Sequence, residues 1–312
     1  MTLKTFMLCG VLALGPAAAL AQSASDAQRC RTITGNPDLA IQHCTRAIDS
    51  GKLAARELAQ VYFSRGVELT TKGEFDRAIA DFDIAIKTDA KLTEAYYSRG
   101  IAWANKGEPE RAIADFDAVL RADARNADAL HSRGTESMVR GDYLRALADF
   151  EATLRANPKA QDVFFPRGRA LFYSGEFTRA AADFAKAHQA QPSNYTALWL
   201  YLSRKHGGVA DAEALIERDT RTTRDGSWPA GVIALYAGEA EPDPVMGSAD
   251  DRDPKKQTEQ RCEAQFYIAH WHLLQKANDR ALPLLEEAQR SCPKNVIEYE
   301  GTLAALRQLR TR

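Results

Sequence analysis

The residues of this 312-residue chain with the chemistry for a reactive or ligating site are six histidines, five cysteines and one short acidic run. A metal centre needs His, Cys or carboxylates at ligand spacing, and a nucleophilic enzyme needs a Ser or Cys beside a general base. His43, His131, His188 and His206 stand alone in the sequence. His270 and His272 are two apart, which on a helix puts them on different faces. There is no GxSxG, no HExxH, no complete phosphate loop and no CxxC or CxxH spacing. Asp250-Asp251-Arg252-Asp253 could hold a weak calcium ion, but a solvated acidic loop is the simpler reading. The expectation is a protein without catalytic residues, cofactor or metal.

The first residues carry a different kind of signal. Lys4 supplies a positive start, Phe6 to Leu14 an apolar stretch, and Ala19-Leu20-Ala21 a small-x-small cleavage site. Residues 1–21 therefore read as a cleaved signal peptide. The stretch is too short, and too broken by Gly10, Gly15 and Pro16, to span a membrane. Cys9 lies inside it and Gln22 follows the cleavage site, so neither a lipid nor a membrane anchor is expected. Cleavage leaves 40 basic residues against 42 acidic ones, because the leader holds one Lys and no acid. That balance offers nothing to nucleic acid or to an anionic membrane. The expected location is the periplasm, with secretion as the second choice.

The elements that must position the remaining chemistry repeat every 34 residues. Ser64-Arg65-Gly66 recurs as Ser98-Arg99-Gly100, Ser132-Arg133-Gly134 and Pro166-Arg167-Gly168. A second glycine follows (Gly73, Gly107, Gly141, Gly175), then Arg-Ala from Arg77-Ala78 onward, then Asp-Phe at Asp81-Phe82, Asp115-Phe116, Asp149-Phe150 and Asp183-Phe184. The period and order resemble the tetratricopeptide repeat, a helix-turn-helix unit. The resemblance implies an all-α solenoid with a degenerate helical C-terminal half and a capping helix. Its usual work is to hold another polypeptide.

Along the chain, 22–58 reads as an incomplete N-terminal repeat with a short first helix and a second from about Pro37 to Ser50. Four repeats fill 59–194, at 59–92, 93–126, 127–160 and 161–194. Pro166 should make the fourth begin late or bend. Residues 195–258 read as irregular helices (Tyr195–Lys205, Asp211–Thr220, Trp228–Tyr236) and a charged loop, Glu239–Gln257, rich in proline. Residues 259–312 form a repeat-like hairpin, its second helix disturbed by Pro283, and a capping helix at about Val296–Arg310.

The repeat register also pairs the cysteines. With Ala59 as position 1 of its repeat, Gly66 is position 8 and Gly73 position 15. The two helices are antiparallel, so facing positions sum to about 32 to 34. Aligning Asp38-Leu39-Ala40-Ile41 with Asp76-Arg77-Ala78-Ile79 puts Cys44 at position 24 and Cys30 near 10. Aligning Asp279-Arg280-Ala281-Leu282 puts Cys262 at position 1 and Cys292 at 31. Each pair can bridge one hairpin, so two disulfides are expected in an exported chain.

Beyond the repeats, Leu198-Trp199-Leu200-Tyr201-Leu202, then Ser227-Trp228 through Tyr236-Ala237-Gly238, then Glu263-Ala264-Gln265-Phe266-Tyr267 resemble the C-terminal half of NlpI-type tetratricopeptide repeat proteins. These are outer-membrane lipoproteins of Gram-negative bacteria. The resemblance implies an all-helical fold that tends to dimerise and an adaptor role between periplasmic proteases and cell-wall hydrolases. The lipobox cysteine is missing here, and the two cysteine pairs lie outside the family pattern.

Two sets of side chains follow from the register. Arg65, Arg99, Arg133 and Arg167 at position 7 could each reach Asp81, Asp115, Asp149 or Asp183 at position 23 of their own or the adjacent repeat, which suits structural ion pairs better than a ligand role. Positions 5, 9, 12 and 13 line the inner face of such a solenoid: Phe63, Tyr97, His131 and Phe165; Arg169; Met138 and Phe172; Asn105 and Tyr173. They are the candidate groove for a protein or peptide partner, and simple packing between repeats is the rival reading. The expected function is a non-catalytic periplasmic adaptor holding a peptide or helix of a partner such as a protease or cell-wall hydrolase. The alternatives are a structural assembly factor of the envelope and an accessory that binds cell-wall glycan or peptide. An exposed apolar capping helix would favour a homodimer.

Overall fold

A computed structural model describes residues 16–210, Ala212, Ile216 and 228–310, divided between two compact units, Met1–Ala124 and Arg125–Arg312. Most of the expected signal peptide lies outside the described residues. So does the expected helix Asp211–Thr220, apart from Ala212 and Ile216. Every regular element among the described residues is helical. No helix among them is long and apolar enough to cross a membrane.

The first unit contains α1 (Pro16–Thr32), α2 (Pro37–Asp49), α3 (Ala55–Thr71), α4 (Phe75–Thr88), α5 (Thr93–Asn105) and α6 (Pro109–Ala122). They pack as successive antiparallel hairpins, α1 on α2, α3 on α4 and α5 on α6. The helix α1 is longer than the short element expected and runs through Ala21, where cleavage is expected. In α4 and α6 the buried residues recur at helical spacing: Ala78, Ile79, Phe82 and Ala85, then Ala112, Ile113, Phe116 and Val119. Gly73 and Gly107 turn each hairpin at φ +75°, a conformation in which a Cβ is strained. Cys30 and Cys44 are bonded across α1 and α2, with Cα atoms 4.7 Å apart. Beside them, buried Asp26 accepts from His43 Nδ1 at 2.6 Å. Burial pushes the Asp26 carboxyl up, but His43, Gln22 and Arg46 more than offset it and hold the group below its usual range.

The second unit contains α7 (Ala127–Val139), α8 (Tyr143–Ala156), a 3-10 turn (Gln161–Val163), α9 (Phe164–Tyr173), α10 (Phe177–Ala190) and α11 (Asn194–His206). After the undescribed stretch come α12 (Ala230–Ala237), α13 (Pro242–Ser248), α14 (Pro254–Leu274), α15 (Asn278–Ser291) and α16 (Ile297–Arg310). In the fourth repeat α9 starts at Phe164, so Pro166 sits in the first turn, where its missing N–H leaves no helical bond unmade. Glu239–Gln257 is not a loop throughout: it holds α13 and the start of α14. Pro242 and Pro254 occupy the first turns of those helices, where a fixed φ favours initiation. The helix α15 runs on to Ser291 despite Pro283 in its second turn. Cys262 and Cys292 are bonded across α14 and α15, with Cα atoms 5.0 Å apart.

One apolar cluster joins the repeats of this unit to its later helices. Phe150, Phe184, Trp199, Tyr236, Phe266 and Tyr267 all belong to it and are all fully buried. The helix α16 packs on α14, α15 and α9. Its Ala304, Ala305 and Leu306 are buried inside the unit.

Candidate partner-binding surface

Each repeat builds the same support from three positions. The aromatic ring at position 24 (Phe82, Phe116, Phe150, Phe184) is completely buried. It lies so close to the glycine at position 8 that a Cβ on Gly66 would sit 2.6 Å from the Phe82 ring, and one on Gly100 2.7 Å from Phe116. The ring at position 5 stands on this platform: Phe63 on Phe82 at 6.1 Å, Tyr97 on Phe116 at 5.7 Å, His131 on Phe150 at 5.7 Å, Phe165 on Phe184 at 5.6 Å. All four are half-buried, with one side held by the platform and one side open.

One ion pair locks each hairpin in this geometry. Arg65, Arg99, Arg133 and Arg167 each give Nε and Nη2 to the two carboxylate oxygens of Asp81, Asp115, Asp149 and Asp183 at 2.6 to 2.9 Å. The acids are nearly buried and belong to the same repeat as the arginine. This fork-to-carboxylate match suits a structural ion pair, and the remaining Nη1 of Arg65 and Arg99 reaches Thr45 and Asp83 of the preceding hairpin.

The expected groove residues separate into two sets. Phe63, Tyr97, His131 and Phe165 keep an open side, and Asn105 is exposed, although its amide donates to Ile101 O at 2.8 Å. Met138, Arg169, Phe172 and Tyr173 are not available: they are 2%, 8%, 4% and 4% exposed. The later helices of the second unit occupy that side of the third and fourth repeats. Phe172 meets Trp199, His206 and His270 at 5.4 to 5.5 Å. Arg169 pairs with Glu300 of α16 and donates to the Tyr173 hydroxyl at 3.2 Å. Gln308 Nε2 reaches Tyr173 O at 3.0 Å. These partners lie up to 135 residues away in sequence, beyond the reach of any repeat register.

Burial in this region also shifts carboxyls upward. Glu298 is pushed up to about 8 by burial and the nearby Glu263, against a hydrogen bond from Tyr267 OH at 3.0 Å. Glu263 is raised by burial although it accepts from Trp228 Nε1 at 2.6 Å and Tyr195 OH at 2.9 Å. Glu136 is pushed up to about 7 by burial and by Glu300. Neither Glu263 nor Glu298 lines the clefts bordered by Met246, Phe165 or Phe177. Asp250, in the acidic run, bonds Arg261 at 2.7 Å, and Asp253 caps α14, so those carboxylates are engaged in structure.

One cleft lies beside the ring of Phe165. Phe165 lines a hollow of about 570 Å³ with Gln161, Asp162, Ala187, Gln191, Ser193 and Tyr195. Asp162 also reaches His131 Nδ1 at 3.3 Å, so the position-5 side chains of the third and fourth repeats border the same polar edge. An apolar ring, small side chains and amides around one opening can hold an extended or helical segment of polypeptide.

The tetratricopeptide repeat family matches the chain at residues 63–127, 132–195 and 165–218. Among solved structures, the C-terminal part of a tetratricopeptide repeat-containing protein from Cytophaga hutchinsonii is 16% identical, with a TM-score of 0.55 over 90% of this chain and 98% of that one. A tetratricopeptide repeat protein from Parabacteroides merdae is also 16% identical, with a TM-score of 0.56 over 80% and 98%. YrrB, described as a tetratricopeptide repeat protein with an unusual peptide-binding site, is 22% identical, with a TM-score of 0.53 over 63% and 98%. At these identities the likeness shows the fold alone. No curated protein sequence matches the chain.

Proposed function

We propose that this chain, whose residues 63–218 carry tetratricopeptide repeats, is a non-catalytic adaptor that holds a peptide or helical segment of a protein partner. The observation that carries this reading is the series of half-open rings Phe63, Tyr97, His131 and Phe165, each fixed from behind by a buried phenylalanine. A rigid aromatic with one free side loses little entropy on binding and offers a large contact area, as an anchor for a partner should. The cleft beside Phe165 extends the same chemistry. A peptide-binding site in YrrB, a protein of the same fold, is consistent with it. The two disulfides favour an oxidising, exported compartment, and the periplasm is the compartment proposed.

The test is affinity capture from a periplasmic extract with the wild type and with a variant carrying Phe63→Ala, Tyr97→Ala and Phe165→Ala, after circular dichroism shows equal helix content. Recovery of a protein by the wild type alone supports the reading. Equal recovery by both moves the binding surface away from the rings.

A further inference from the structure

The later helices of the second unit border a cleft of about 700 Å³, within the size range of small-molecule sites. Glu241, Asp243 and Met246 reach it from α13 and the residue before it, His272 from α14, and Arg280 and Leu284 from α15.

Both signs of charge line this one space. Glu241, Asp243 and Arg280 are exposed, and no hydrogen bond or ion pair engages their side chains among the described residues. Glu241 stands at the head of α13 without capping it. The acids are therefore spent neither on the guanidinium nor on a cap. His272 is only 7% exposed, with its ring edge-on to Trp271 at 5.0 Å. Its Nδ1 is buried and has no hydrogen-bond partner among the described residues. Buried polar atoms are normally paired, so the imidazole is short of one contact. Burial and the nearby Arg280 hold its pKa below the usual range, which keeps the ring neutral, a donor at one nitrogen and an acceptor at the other. Met246 and Leu284 add apolar surface.

We propose that this cleft binds a zwitterionic short peptide, two or three residues long, with apolar side chains. Its ammonium meets Glu241 and Asp243, and its carboxylate meets the Arg280 fork. Its side chains lie on Met246 and Leu284, and a peptide group bonds the neutral imidazole of His272. Acids alone would draw a cation, and a guanidinium alone an anion; a ligand with both charges satisfies both. A free amino acid carries both on one carbon and has no peptide group for His272. Two or three residues separate the charges by about 3.5 Å per residue and place a peptide group between them. The site shares no residue with the aromatic surface of the repeats, and its failure would leave the adaptor reading untouched.

The experiment titrates the full chain with leucyl-leucine by calorimetry, beside leucine, glycyl-glycine, N-acetyl-leucyl-leucine and leucyl-leucine amide. The free dipeptide should bind about tenfold more tightly than each of the others, since each lacks one of the proposed contacts. Arg280→Gln should weaken leucyl-leucine about tenfold and leave the amide unchanged. Glu241→Gln with Asp243→Asn should likewise weaken the free dipeptide and leave the acetylated one unchanged. All three side chains are exposed, so the fold is kept, and equal helix content by circular dichroism checks this. No binding of leucyl-leucine at millimolar concentration overturns the proposal. So does equal affinity for the free and blocked dipeptides or for leucine, or an Arg280→Gln variant that loses every ligand alike.

Discussion

Arg99 and Asp115, sixteen residues apart, form two parallel hydrogen bonds across the α5–α6 hairpin, Nε to Oδ2 at 2.8 Å and Nη2 to Oδ1 at 2.6 Å. The hydrogen bonds to Asp115 raise the guanidinium pKa above its usual value and outweigh the opposing effect of burial. Truncating the arginine leaves a nearly buried carboxylate with no fork to meet it. Arg99→Ala should therefore lower stability by about 3 kcal/mol in urea unfolding. Arg99→Lys should recover less than half of that, since an ammonium makes one contact where the fork makes two.

The two glycines of a repeat answer to different constraints, and alanine separates them. At Gly100 a Cβ would collide with the Phe116 ring at 2.7 Å, so Gly100→Ala should cost about 2 to 3 kcal/mol by overpacking. At Gly107 a Cβ meets nothing within 4 Å, and the cost is the left-handed backbone alone, about 1 kcal/mol. Thermal unfolding of the two variants side by side checks the order. An equal loss would mean that the Phe116 ring moves aside.

Reduction should weaken each bridged hairpin. The loops closed are 14 and 30 residues in sequence separation. Loop entropy assigns them about 3 and about 3.7 kcal/mol. Dithiothreitol should lower the melting temperature by several degrees, and Cys262→Ala with Cys292→Ala should account for the larger part. No shift on reduction would show that the thiols are not bonded in the purified protein.

Stability should fall as pH rises from about 5 to 8. The Glu298 carboxyl titrates at about 8 in the fold and near 4.5 when unfolded, so the folded chain holds the extra proton between those values. Its contribution is complete below about pH 4.5 and is lost through pH 8. Glu136, at about 7, acts in the same direction. Glu298→Gln keeps an acceptor for Tyr267 OH without the charge. It should flatten the pH profile and stabilise by about 1 to 2 kcal/mol at pH 8. A melting temperature independent of pH in the wild type would contradict this.

How much of this was legible in the sequence depends on whether a feature recurs. The Arg-Asp pairs, the glycine against phenylalanine contact and the position-5 rings follow from a 34-residue register, because one geometry is written four times. The same register placed Cys30 opposite Cys44 and Cys262 opposite Cys292, as the structure has them. The contact of Arg169 with Glu300 is written once, between helices of unlike sequence, and nothing periodic points to it. Arg169, Phe172 and Tyr173 of the fourth repeat therefore read as groove, whereas they are buried. Proline misled in a second way. Pro242 and Pro254 looked like loop markers but start helices, since the residue that ends a helix by blocking its interior suits a first turn equally well.

The Cys30–Cys44 bridge sits in the first helical hairpin among the described residues, whereas the hairpin bridged by Cys262–Cys292 is covered by α16. In a stack where a repeat is steadied mainly by its neighbours, the outermost hairpin has one neighbour fewer and frays first. A staple between its two arms does not prevent that fraying, but the arms leave and return together. Unzipping then no longer proceeds helix by helix from a loose tip, which is the route an end-biting protease exploits. The Cys30–Cys44 staple thus makes the first hairpin, and not the single helix, the smallest piece that can come undone there.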